Sequence, residues 1–204
     1  MNTEHWLQEG PQTKITPAIR EFAARIPGTP VPEDIQEFAP ELVLAYQTAE
    51  AIRTLAQVEN DKTLLAKIFR RRTADEIVRS FIYGTCSDYA VTFRALMVAQ
   101  GVPTSYVEAI SVGMLKNNLW FTHAENQVYT QEGPVVFSPW YRTHHRHNGA
   151  SLDDLDYVPI KEGLDSHDVG IYNWMDRKPF VEKHKEEIKR KLAQLRSPTS
   201  DQPK

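Results

Sequence analysis

Tyr83-Gly84-Thr85-Cys86-Ser87-Asp88-Tyr89-Ala90, continued by VTFRALMVAQ to Gly101-Val102-Pro103, holds the only cysteine of the chain. Gly84 interrupts the helical pattern before it. Thr85 stands where an N-cap belongs and Asp88 follows three positions on, so a helix is predicted to begin at Cys86. A thiol on the first helical residue lies beside unpaired N–H groups and the positive end of the macrodipole, and both favour the thiolate. Asp88 would oppose this if its carboxylate faced the sulfur, but from the third helical position it is expected to turn back to the cap. Cys86, Ala90, Phe93 and Met97 share one face, which predicts a buried helix body with only its first turn open to chemistry. Gly101 and Pro103 then end the helix.

Downstream, TSYVEAISV (104–112) is rich in β-branched residues and reads as a strand. NLWFTHAENQVY (118–129) and PVVFS (134–138) read as two more, joined by a turn near Thr130 to Gly133. Alternation puts Leu119, Phe121, His123, Glu125 and Gln127 on one face. A hairpin loop of two or of four residues puts Ser138 on that face as well, opposite Gln127 or Glu125 respectively. An odd loop with a bulge would break that placement.

Upstream, Pro11, Pro17, Pro27, Pro30, Pro32 and Pro40 allow only a short helix near PAIREFAARI, so residues 1–40 read as an arm wrapped on the domain. Leu42, Ala45, Ala49 and Ile52 recur at helical spacing in an amphipathic helix from Glu41 to about Gln57. DKTLLAKIF forms another helix, and Arg70-Arg71-Arg72 is expected to complement its negative pole rather than to bind an anion. Thr73 and Glu76 have the form of a capping box for a short helix reaching about Phe81. From Pro179 to about Leu195, Val181, Ile188, Leu192 and Leu195 make a narrow apolar stripe, expected of a solvated helix docked along one edge and followed by a disordered tail, SPTSDQPK. The organisation expected is therefore an arm (1–40), a core with its leading helices (41–178) and a C-terminal helix with its tail (179–204).

Composition excludes several classes of function. Lys and Arg number 24 against 27 Asp and Glu, a net charge of −3, so electrostatic binding to nucleic acid is not expected. One cysteine allows no internal disulfide, and the opening MNTEHWLQEGPQTK lacks the basic and apolar regions of a signal peptide. No apolar run approaches the roughly 18 residues of a membrane span, so the default location is cytoplasmic, with no membrane partner. Thr143-His144-His145-Arg146-His147 lacks strict ligand spacing, and no metal or cofactor is expected. Trp140 and Tyr141, with Trp120, are expected in the core rather than along a groove.

The run from Gly84 through Phe93-Arg94-Ala95-Leu96 to Gly101-Val102-Pro103, with His123-Ala124-Glu125-Asn126-Gln127-Val128-Tyr129 and Val136-Phe137-Ser138-Pro139, resembles the transglutaminase-like superfamily. The match covers roughly Thr73 to Pro139. It implies an α+β, papain-like core with the nucleophile helix packed on an antiparallel sheet, extended by the N-terminal and C-terminal helices. Members of that superfamily attack amide carbonyls to form a thioester, which an amine or water resolves.

Transferred to this chain, the resemblance makes Cys86 the nucleophile and His123 its general base and acid, with the Cys86 N–H as one oxyanion donor. Two positions depart from the family pattern. Ser138 stands where an aspartate usually orients the imidazole, and Glu125 stands where a tryptophan is usual. Glu125 is therefore a candidate for the displaced carboxylate. Two functions stay open: a thiol hydrolase or acyltransferase on a peptide or protein amide, hydrolysis slightly favoured, or a catalytically inactive domain that binds a peptide in the same cleft.

Overall fold

The structure, a computed structural model, describes residues 3–111, 122–145 and 157–196. Its helices follow the local signals. Helix α1 (Pro17–Arg25) starts with Thr16 as N-cap, whose side chain accepts from the Ile19 N–H, and with proline at the first turn. Helix α2 (Pro40–Leu55) buries Leu42, Ala45, Ala49 and Ile52. Asp61 caps the short α3 (Lys62–Ile68), and the Thr73/Glu76 capping box opens α4 (Ala74–Ser80). Phe81 closes α4 in the left-handed region at φ 53°.

Helix α5 (Cys86–Ala99) begins at the cysteine. Every residue from Ser87 to Val98 is buried, because α1, α2 and α4 surround the helix on one side and the sheet covers the other. The one-face pattern expected from the sequence is thus wider in fact: α5 is a central helix, buried all round, and even Arg94 is 0% exposed. The Arg94 guanidinium donates to Thr13 Oγ1 and to the carbonyls of Trp6 and Gln8, which ties the N-terminal arm to the helix.

Two residues each from β1 (Gln57–Val58) and β2 (Ile82–Tyr83) pair in parallel. The main sheet combines β3 (Thr104–Ser111), β4 (Thr122–Thr130), β5 (Gly133–Ser138), β6 (Thr143–His145) and β7 (Tyr157–Gly163) in the order β6-β5-β4-β3-β7, antiparallel throughout. Pairing of Thr130 with Gly133 and Tyr129 with Pro134 fixes the hairpin. Continued one step past Asn126 and Phe137, this register puts Ser138 opposite Glu125, the partner expected with a four-residue loop, although the Thr130–Gly133 pair leaves only Gln131 and Glu132 in the loop. Pro139 cannot donate to the ladder, and β5 ends before it.

The last helical stretch is two helices, Arg177–Lys183 and Lys185–Arg196, with His184 as the C-cap between them. The first buries Phe180 and Val181, and the second sets Ile188 into the core, so this end is packed more deeply than a narrow surface stripe implied. Among the described residues no helix is long and apolar enough to cross a membrane.

Candidate active site

Cys86 sits at the start of α5, where its backbone N–H has no acceptor within the helix. Asp88 does turn back, as expected: its Oδ2 accepts from the Gly84 and Thr85 N–H groups at 2.9 and 3.1 Å and from Arg72 at 2.7 Å. Those three donors draw the carboxylate away from the sulfur. Gly84 packs closely on α3, and a Cβ there would force the Leu65 side chain to move.

The half-buried thiol meets β4 where β5 has ended. The side chain of His123 hydrogen-bonds to the sulfur, and the Ala124 N–H, one step beyond the residue opposite Ser138, donates to it as well. Burial pushes the thiol pKa up, but the His123 hydrogen bond and charge, the Arg70 guanidinium and the Ala124 N–H outweigh it, and the thiol lies below its ordinary value. For His123 the balance is the mirror image. Burial disfavours the imidazolium, whereas the hydrogen bond and charge of Cys86 and the charges of Glu125 and Glu108 favour it, and the pKa is raised. A thiol shifted down beside an imidazole shifted up is the electrostatic signature of a thiolate–imidazolium pair.

His123 Nε2 lies 3.5 Å from Ser138 Oγ, at the long limit of a hydrogen bond. With Nε2 directed there, Nδ1 is the ring nitrogen left for the sulfur. Ser138 and Glu125 are each 1% exposed. All four candidate residues therefore converge: Cys86 and His123 in contact, Ser138 at the far ring nitrogen, and Glu125 near enough for its charge to raise the imidazole pKa.

Cys86 and His123 open into a cleft of about 610 Å³. Trp140 and Tyr141 line it, 39% and 52% exposed, contrary to the core placement expected from the sequence. They sit in the turn after β5, outside the sheet, with the Tyr141 ring 5.5 Å from that of His123 and the Trp140 ring 4.9 Å from Tyr89. Trp120 lies outside the described residues. The opposite wall was not anticipated: Lys62, Leu65, Ala66 and Phe69 come from α3 and its end, and Trp174 and Arg177 from the C-terminal region. None of the described residues of the N-terminal arm lines the cleft.

The arginine triplet also differs from expectation. Arg70 adopts φ 59°, which turns the chain inward after Phe69 caps α3. Its guanidinium is fully buried, bidentate to Glu108 at 2.7 and 2.6 Å, and donates to the Tyr106 hydroxyl at 2.6 Å. Arg72 pairs with Asp88, so only Arg71 remains on the surface. A left-handed turn at a non-glycine residue carries no local sequence mark, and Glu108 is remote in the chain, so no periodicity signalled this cluster.

His144 of β6 contacts Tyr46 Oη at 2.8 Å and packs against Phe38, a structural use of that histidine. Arg146 and His147 lie outside the described residues. Among those described, no group of three His, Cys, Asp or Glu residues is arranged to hold a metal ion.

No family model matches the sequence, and no curated protein does. Among solved structures, the chain is similar to a provisionally assigned cysteine protease of Cytophaga hutchinsonii, at 16% identity and a TM-score of 0.56, over 81% of this chain and 48% of that one. Two structures of Legionella pneumophila LapG also align: an EGTA-treated form at 16% identity and a TM-score of 0.47, over 94% of this chain and 98% of that one, and a second at 17% and 0.40, over 85% and 95%. The chain spans about half the length of the Cytophaga protein. The fold is α+β with a cysteine-bearing helix packed on an antiparallel sheet, and it is a cysteine-protease-like fold.

Proposed function

We propose that this chain is a cysteine-dependent amide-bond hydrolase acting on a peptide or protein. The observation that carries the reading is the Cys86–His123 pair, hydrogen-bonded at the mouth of a cleft, with the thiol pKa lowered and the imidazole pKa raised. The Cys86 thiolate attacks the amide carbon, and a C–S bond forms as the carbonyl π electrons move to oxygen. The Cys86 N–H, lacking an acceptor within the helix, stabilises that oxyanion. His123 gives its proton to the departing amine as the C–N bond breaks, leaving a thioester. Water, deprotonated by the same imidazole, then attacks the thioester; the C–S bond breaks, the acid is released and the thiolate–imidazolium pair is restored. An amine in place of that water would make the same thioester the intermediate of an acyl transfer, and hydrolysis is the simpler assignment.

One observation favours a second reading, a peptide-binding domain without turnover: Ser138 offers the imidazole an uncharged contact at 3.5 Å in place of a carboxylate. Labelling with an electrophilic peptide at pH 6 separates the two. A hydrolase is expected to be modified at Cys86, with neither labelling nor peptide cleavage in Cys86→Ala. Binding of the peptide without modification of the wild-type thiol would favour the binding domain.

A further inference from the structure

Gln12 belongs to the N-terminal arm, lines no part of the cleft and is 2% exposed. Its amide nitrogen donates to the Arg70 carbonyl at 3.0 Å and to the Arg72 carbonyl at 3.1 Å. The amide oxygen accepts from Ser166 Oγ at 2.6 Å and from the Ser166 N–H at 3.2 Å. Its main chain is anchored as well: the N–H donates to Asp165 Oδ2 at 2.8 Å, and the carbonyl accepts from the Ala74 N–H at 2.8 Å. An arm that only covered the core would bury apolar side chains, whereas a buried glutamine hydrogen-bonded at both ends of its amide specifies one geometry. A primary amide has two N–H donors, and here both go to carbonyls of the Arg70–Arg72 turn.

That turn carries two arginines whose side chains reach toward the nucleophile. Arg70 takes φ 59°, a left-handed conformation that a residue with a Cβ keeps only where its surroundings hold it. Its carbonyl is held from two sides, by Gln12 and by His167 Nε2 at 3.0 Å. From there the side chain runs inward, bidentate to Glu108, and its charge favours the Cys86 thiolate. Arg72, two residues on, reaches Asp88 in the first turn of α5. We propose that Gln12 is a positioning residue of the active site, which holds the Arg70 guanidinium in its place near Cys86 by clamping the Arg70–Arg72 turn. The proposal rests on the activated thiolate of the hydrolase reading. Replacing Gln12 with methionine keeps the length of the side chain but removes both donors, and the turn is then free to relax out of its left-handed conformation. As Arg70 shifts, the thiolate loses part of its stabilisation.

The single cysteine is the reporter for the test, through iodoacetamide alkylation of the full chain against pH. In Gln12→Met the midpoint of the profile is expected to move up from that of wild type by about half to one pH unit. Ile188→Val, a core change in the C-terminal helix that lines no part of the cleft, is expected to lower the urea midpoint and to leave the alkylation profile in place. The thiol also feels His123, Tyr106 and Arg177, all of them present in these variants, so the shift reads the turn. In the Arg70→Met/Glu108→Leu background, which lacks the guanidinium, Gln12→Met is expected to move the midpoint by less than about half as much. If Gln12→Met does not fold, Gln12→Asn, whose amide is one methylene short of the two carbonyls, gives the same comparison.

A profile unmoved in Gln12→Met, a shift of equal size in Ile188→Val, or a shift as large without Arg70 as with it overturns the proposal. Failure of the hydrolase reading gives a different result. A lowered wild-type thiol pKa that is indifferent to Gln12 removes only the role of the arm, whereas an ordinary wild-type pKa indifferent to His123 removes the activated thiolate and this role with it.

Discussion

Glu125 stands two residues from His123 on the same face of β4, buried, and its charge helps to raise the imidazole pKa, whereas Ser138 contributes a hydroxyl at 3.5 Å and no charge. If the reactive form is a thiolate–imidazolium pair, protonation of the thiolate limits activity at low pH and loss of the imidazolium proton limits it at high pH, so activity against pH is expected to be bell-shaped. Removing a nearby negative charge lowers the imidazole pKa, and Glu125→Gln is therefore expected to move the alkaline limb to lower pH. Ser138→Ala should move it less, because no charge is lost. Profiles of kcat/KM for both variants check this ordering, and equal or opposite shifts would assign the orienting role to Ser138. At this scale a cap, a helix start and strand alternation placed the cysteine and histidine, and the family resemblance joined them into one candidate site. Arg70, Arg177 and Trp174 were not legible, since only tertiary packing brings them near the site.

The start of α5 depends on Asp88, which holds the Gly84 and Thr85 N–H groups and Arg72 together. Asp88→Ala is expected to cost about 2–3 kcal/mol in urea denaturation, as for hydrogen bonds to a charged group. It should slow alkylation of Cys86 as well, by releasing the turn that aims the thiol at His123. Full stability in this variant would show that the cap is dispensable. Helix starts were the readable part of the elements, since Thr73 with Glu76 and Thr85 with Asp88 announce themselves by spacing. Hairpin parity was readable too, but the choice between Gln127 and Glu125 as the residue opposite Ser138 needed the Thr130–Gly133 pair. The break at His184 has no glycine or proline to mark it.

Across the whole molecule, the buried Arg70–Glu108–Tyr106 cluster joins the end of α3 to β3 of the sheet and contributes positive charge near the thiol. Glu108→Leu leaves a buried guanidinium without its bidentate partner and is expected to cost roughly 3–5 kcal/mol, whereas Arg70→Met combined with Glu108→Leu should recover much of that loss. Denaturation midpoints of the single and double variants measure the difference, and a double variant no more stable than the single one would contradict it. The fold class followed from the family resemblance that a few motifs carry. The cleft did not, because its walls come from α3, the turn after β5 and the C-terminal region, which only the folded chain brings together. The central claim, an activated thiolate made by His123, is tested most directly by the rate of iodoacetamide alkylation against pH in wild type and His123→Ala. With one cysteine the signal belongs to Cys86 alone. An apparent pKa clearly below the ordinary value of about 8.5 in wild type, rising toward it in His123→Ala, is the expected result. An ordinary or raised pKa that is the same in both proteins would contradict the hydrolase assignment.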